Sequence, residues 1–228
     1  MRKLTVSEHC PHPGLIFVLG DVNEGKTVTM CCLLDQYHKQ GLNIYMGDKK
    51  NVVDTYPDWV KRTDPYKPYM PPDSVFCRDD AHLVYHARDW TSGKARYLDD
   101  AGRERYHTRT TFIYTTQQSR VLDVNLVSMG ATLIFKRPSK LQLKVERNEV
   151  KDLFAEADIA LREEGYGVEK AYVMSNRFEG VVEVEKPGWY DESIRRSQRG
   201  VSKMAKPEKT FNTRPLVDLV RGIGRMFG

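Results

Sequence analysis

At 228 residues the chain is long enough to bury a substantial core as one large α/β domain, with room for a small appendage. Its formal net charge of +5 permits a polyanionic partner without demanding one, and no apolar run approaches the ~20 residues of a membrane span. The opening Met1-Arg-Lys-Leu-Thr-Val-Ser-Glu8 is too short and polar for a secretory signal, and Cys10, Cys31, Cys32 and Cys77 form no regular framework. Reduced thiols in an intracellular compartment are the expectation.

Residues 1–14 read as an irregular lead-in containing Pro11 and Pro13, where His9, Cys10 and His12 stand close together without a second ligand pair at zinc spacing. Leu15 to Leu19 is wholly apolar and predicts a central strand of a parallel sheet. It breaks into Gly20-Asp-Val-Asn-Glu-Gly-Lys-Thr27, the spacing of a phosphate-binding loop. Gly20 and Gly25 allow positive φ, so that the N–H groups of Asp21, Val22, Asn23, Glu24 and their neighbours can curl around a phosphate at the start of a helix. Lys26 is then placed to reach the β- and γ-phosphates and Thr27 to bind Mg²⁺.

The helix predicted from Thr27 to about Gln40 stops at Gly41, and Leu42 to Met46 follows as a strand with Gly47 to Lys50 at its carboxyl end. A short helix around Val52 to Val60 fits the pattern, and the proline-rich stretch from Asp64 to Pro72 does not fit regular structure. Ser74 to Arg78 is a strand that runs into Asp79 and Asp80, a carboxylate pair suited to holding a Mg²⁺ shell through Asp79 and activating water through Asp80. Short helices are expected at His82 to Trp90 and, carrying Arg96, Arg103 and Arg105, at Ala95 to His107.

Thr110 to Thr116 is the next strand, and Gln117 at its tip is a candidate to hydrogen-bond a γ-phosphate or the attacking water. Val121 to Val127 reads as a short helix, Ala131 to Phe135 as a strand, and Leu141 to Val145 alternates as a short edge strand or extended loop does. Helical spacing returns from Asn148 to Glu164, and Lys170 to Met174 and Gly180 to Glu185 read as two short strands. Residues 191–228 form a basic tail in which Pro215 to Phe227 fits a short amphipathic helix suited to docking on protein or a membrane surface.

The order of Gly20 to Thr27, then Asp79-Asp80-Ala-His82, then Thr115-Thr-Gln-Gln118 after an arginine-bearing helix resembles the FtsK/HerA superfamily of DNA-pumping ATPases. With no large extra domain, the chain looks like the compact genome-packaging ATPases of membrane-containing icosahedral viruses. The resemblance covers Leu15 to Phe135, with weaker support from Tyr172 to Tyr190.

The resemblance implies a RecA-like P-loop NTPase core, spanning residues 15–190, with a central, mostly parallel sheet flanked by helices. It also implies ATP and Mg²⁺ as ligands, a homo-hexameric ring around double-stranded DNA, a capsid or membrane protein as docking partner, and action in the host cytoplasm or virion. In such rings an arginine enters the neighbour's site, and Arg105, Arg120 and Arg137 are the candidates by position. Two other readings share the phosphate loop: a small-molecule kinase with Arg88 to Arg109 as its lid, and an assembly protein switched by nucleotide.

Overall fold

The computed structural model describes residues 1–66, 70–81, 100, 103–117, 130–145 and 148–194. Its elements are β1 (Arg2–Lys3), α1 (Val6–His9), β2 (Leu15–Leu19), α2 (Lys26–Lys39), β3 (Asn43–Met46), α3 (Lys50–Val53) and β4 (Val60–Arg62). They continue with β5 (Ser74–Arg78), β6 (Thr110–Thr116), β7 (Thr132–Phe135), α4 (Lys140–Val145), α5 (Asn148–Glu163), β8 (Lys170–Met174) and β9 (Glu179–Glu183). Residues 103–108 are helical as well.

The nine strands among the described residues form one sheet in the order β1-β9-β8-β7-β2-β6-β5-β3-β4. All pairings are parallel except those of β8, which runs antiparallel to both β7 and β9. β2 lies between β6 and β7, with Ile16 opposite Ile113 on one side and Thr132 on the other. Every residue of β2, β5, β6 and β7 is buried, as expected of strands covered on both faces.

The period of two along these strands divides the core into two halves. Ile16, Val18, Val75, Cys77, Ile113 and Ile134 face α2, which contributes Met30, Cys31, Leu33, Leu34 and Tyr37. Leu15, Phe17, Leu19, Phe76, Tyr114 and Phe135 face α5, which contributes Val150, Phe154, Ala157 and Leu161. This is a mixed α/β architecture, a mostly parallel sheet between two helical layers, as the sequence led us to expect. Because β2, β5 and β6 are parallel, their carboxyl ends share one edge, and the segments carrying the candidate site all leave from it.

Three short pieces differ from the sequence reading. The lead-in is ordered: β1 pairs with Val182 and Glu183 of β9, and Leu4 and Val6 are buried. The helix expected around Val52 to Val60 ends at Val53, and Val60 to Arg62 instead form the edge strand β4 beside β3. Leu141 to Val145 belongs to helix α4, because Ser139 accepts the Gln142 N–H at 3.0 Å on its hydroxyl and nucleates a turn there. Residues 82–90, most of 95–102, 121–127 and 195–228 lie outside the described residues, and the helices expected there with them.

Candidate functional site

β2 delivers Gly20 to the carboxyl edge of the sheet, and α2 begins at Lys26, so the intervening loop must reverse within five residues. Three positions do so with positive φ: Gly20 at 149°, Asn23 at 66° and Gly25 at 87°. At Gly20 a Cβ would stand 2.7 Å from the Lys136 Cβ, and at Gly25 one would stand 2.7 Å from the Val168 carbonyl oxygen. Both glycines are required by close packing as well as by backbone conformation. The loop is tied to β7 by the Asp21 N–H, which donates to the Arg137 carbonyl at 3.1 Å.

The Lys26 side chain folds back over the loop and donates to the Asp21 carbonyl at 2.7 Å. Burial lowers its pKa, opposed by the charges of Asp79, Asp80, Asp21 and Glu24. The Thr27 hydroxyl donates to Asp79 Oδ2 at 2.9 Å, joining the start of α2 to the end of β5. Asp79 therefore reaches the end of the phosphate loop across the sheet edge.

Thr115 organises the pair. Its hydroxyl donates to Asp79 Oδ1 and accepts the Asp80 N–H at 2.9 Å, while that N–H also approaches Asp79 Oδ1 at 3.1 Å. Asp80 sits at φ 47°, in the left-handed region that aspartate tolerates better than most residues. Burial and then the Asp79 charge push the Asp80 carboxyl up to about 6, while Lys26 and the Gln117 amide oppose the rise. Gln117 Nε2 donates to Asp80 Oδ1 at 3.4 Å, and the Gln117 carbonyl accepts from Gln142 Nε2 at 3.1 Å.

Arg78, which interrupts an otherwise apolar strand, is nearly buried and pairs with Asp48 at 3.2 Å while donating to the Gly47 carbonyl. It thereby ties the end of β5 to the end of β3. Burial raises the Asp48 pKa and the Arg78 guanidinium opposes the rise.

The three candidate arginines fare differently. Arg105, in the helical residues 103–108, is 3% exposed and lies 4.5 Å from the Tyr106 ring centroid. Arg137 is exposed, just past β7, with its guanidinium 4.4 Å from the Tyr166 ring centroid. Arg120 lies outside the described residues.

Thr115, Gln142 and Lys136 were not singled out from sequence. Thr115 stands within the strand-end Thr-Thr-Gln-Gln run, so a buried hydroxyl two residues before Gln117 was a usable signal. Lys136, one residue past β7, is fully buried behind the phosphate loop, and nothing in the residues around it signals that.

A Thr hydroxyl and a carboxylate oxygen 2.9 Å apart supply two hard oxygen ligands of the kind Mg²⁺ takes together with water and phosphate. The glycine cradle and Lys26 beside them fit a polyphosphate, so the residues present fit the ligand pair the sequence implied.

No protein-family model and no curated protein sequence matches the chain. Solved structures do. The genome packaging NTPase B204 from Sulfolobus turreted icosahedral virus 2, in complex with ATP-gammaS, superposes with a TM-score of 0.54 at 10% identity, covering 75% of this chain and 98% of that one. The DNA-packaging ATPase B204 from Sulfolobus Turreted Icosahedral Virus gives a TM-score of 0.55 at 11% identity, again over 75% and 98%. The pCW3 conjugation coupling protein TcpA, with ATPgS, gives 0.55 at 12% identity over 82% of this chain and 65% of that one. At 10–12% identity the likeness is one of fold, and it is the α/β fold that the resemblance led us to expect.

Proposed function

We propose that the chain hydrolyses ATP to move double-stranded DNA, as a homo-hexameric ring in viral genome packaging. The observation that carries this reading is the convergence of Lys26, Thr27, Asp79, Asp80 and Gln117 at the carboxyl tips of three adjacent strands, β2, β6 and β5. The likeness of the fold to B204 and TcpA supports it.

In this reading the backbone N–H groups from Asp21 to Thr27 bind the phosphates, and Lys26 leaves the Asp21 carbonyl to reach the β- and γ-phosphates. Thr27 and Asp79 would hold Mg²⁺, which would supply positive charge to offset that of the polyphosphate. Asp80 orients the attacking water and takes its proton. The water oxygen bonds to the γ-phosphorus as the bond to the β–γ bridging oxygen breaks; ADP and inorganic phosphate leave, and the proton passes on to solvent. Gln117 holds the water or a γ-phosphate oxygen through the amide that now meets Asp80. An Asp80 carboxylate steered by an amide favours attack by water over transfer to a kinase acceptor.

DNA would be held through its phosphates by the basic residues, including those of the tail, which makes binding salt-dependent and largely independent of base sequence. Hydrolysis by the purified protein is therefore expected to rise on adding double-stranded DNA, with the stimulation fading as salt increases. A rate that DNA leaves unchanged at every salt concentration overturns the DNA motor.

A further inference from the structure

A fully buried lysine lies behind the phosphate loop. Lys136 has 0% of its surface exposed, and its Nζ donates to the carbonyls of Val168 at 2.7 Å and Lys170 at 2.5 Å. Its stem fills the space that a Cβ on Gly20 would need, and its Cε stands 3.4 Å from the Cβ position of Gly25. Burial lowers its pKa to about 8, opposed by Glu169, Glu24 and Cys32, so the chain holds an unfavourable buried cation to fix the 165–170 turn against the phosphate loop.

That turn presents apolar surface to solvent. Val168 is 55% exposed and Tyr166 37%, and Val22 on the phosphate loop itself is 52% exposed. Phosphate binding alone calls for none of these. The Tyr166 ring is also held in place: its hydroxyl donates to Asp158 Oδ1 at 2.6 Å and accepts from Arg162 Nε at 3.3 Å. Arg162 in turn pairs with Asp158 at 2.5 Å. The exposed Arg137 lays its guanidinium on the ring, 4.4 Å from the centroid, and its own carbonyl accepts the Asp21 N–H of the phosphate loop. An aromatic ring with a stacked guanidinium, rigidly placed and partly open to water, is a surface for another flat π-system.

We propose that the 165–170 turn and Arg137 form the nucleoside wall of the site, with Tyr166 and Arg137 as the stacking platform for the base of the nucleoside triphosphate whose phosphates the Gly20–Thr27 loop holds. This rests on the ATPase reading above. It also gives Arg137 a task in its own chain's site, in place of a reach into a neighbour's.

The test separates base from phosphate. Binding of ATP and of inorganic tripolyphosphate to the full chain is measured by calorimetry for the wild type, Tyr166→Leu, Tyr166→Phe and Arg137→Gln, with thermal melting as a check on folding. Tyr166→Leu is expected to weaken ATP binding about tenfold, the loss of one base–aromatic stack, and to leave tripolyphosphate within about twofold of wild type. Tyr166→Phe keeps the ring and is expected to bind ATP like the wild type. Arg137→Gln, a change at an exposed side chain, is expected to weaken ATP binding about threefold and spare tripolyphosphate. Unchanged ATP binding in both Tyr166→Leu and Arg137→Gln, or equal weakening of ATP and tripolyphosphate, overturns the nucleoside wall and leaves the ATPase reading standing. A wild type that binds neither ligand overturns both.

Discussion

Asp80→Asn is expected to stabilise the nucleotide-free protein while abolishing hydrolysis. The Asp80 carboxyl titrates at about 6 in the fold against an ordinary 3.8, with burial and Asp79 as the leading causes. The sign follows from linkage: a carboxyl whose folded pKa is raised opposes folding when ionised, in full above about pH 6, progressively less down to pH 3.8, and not at all below that. At about 1.4 kcal/mol per pH unit the penalty reaches at most about 3 kcal/mol. Solvent at the edge of the site reduces what a substitution recovers to about 1–2 kcal/mol.

Asparagine suits the test because it tolerates the left-handed φ of 47° and can still accept the Gln117 amide on its side-chain oxygen. For a chain of this size the gain corresponds to a rise in Tm of about 2–8 °C. Melting followed by circular dichroism, without nucleotide or metal, should show that rise at pH 7.5, a smaller one at pH 5, and none near pH 3.8 or below if the fold persists there. A variant that melts at or below the wild type at pH 7.5 refutes the reasoning, as does an advantage of the same size at pH 4.

Gln117→Leu removes the amide that meets Asp80 at 3.4 Å. Steady-state assays should show kcat lowered about 10–100-fold with a smaller change in KM, and its pH profile should have an acid limb displaced upward, because the amide holds the Asp80 pKa down. Gly20→Ala sets a Cβ 2.7 Å from the Lys136 Cβ at a φ of 149°, where a side chain is strained. Denaturant titration should show a loss of about 2–4 kcal/mol, and calorimetry a loss of ATP binding.

The parts of the site legible in sequence were those whose chemistry is local. Gly20, Gly25, Lys26 and Thr27 lie within one turn between a strand and a helix, so their spacing dictates their geometry. Asp79, Asp80 and Gln117 follow buried strands, and a strand's carboxyl tip in a parallel sheet faces the same edge as its neighbour's. Arg78 stood out as a blemish in its strand, and its reason is Asp48, thirty residues earlier, a partner that periodicity does not reveal. The short pieces β1 and β4 went unread because two or three residues carry no period.

From residue order alone came the α/β class, the glycine turn, the acid pair and the strand-end amide, since each depends on neighbours within a few positions along the chain. Only the folded sheet decided that Thr115 would bind Asp79, that Lys136 would be sealed behind Gly20 and Gly25, and that Tyr166 would meet Arg137. Each of those contacts joins segments from different strands or loops. Which segments become neighbours is set by burial of the two apolar faces of the sheet, a property of the whole molecule that no short window of residues contains.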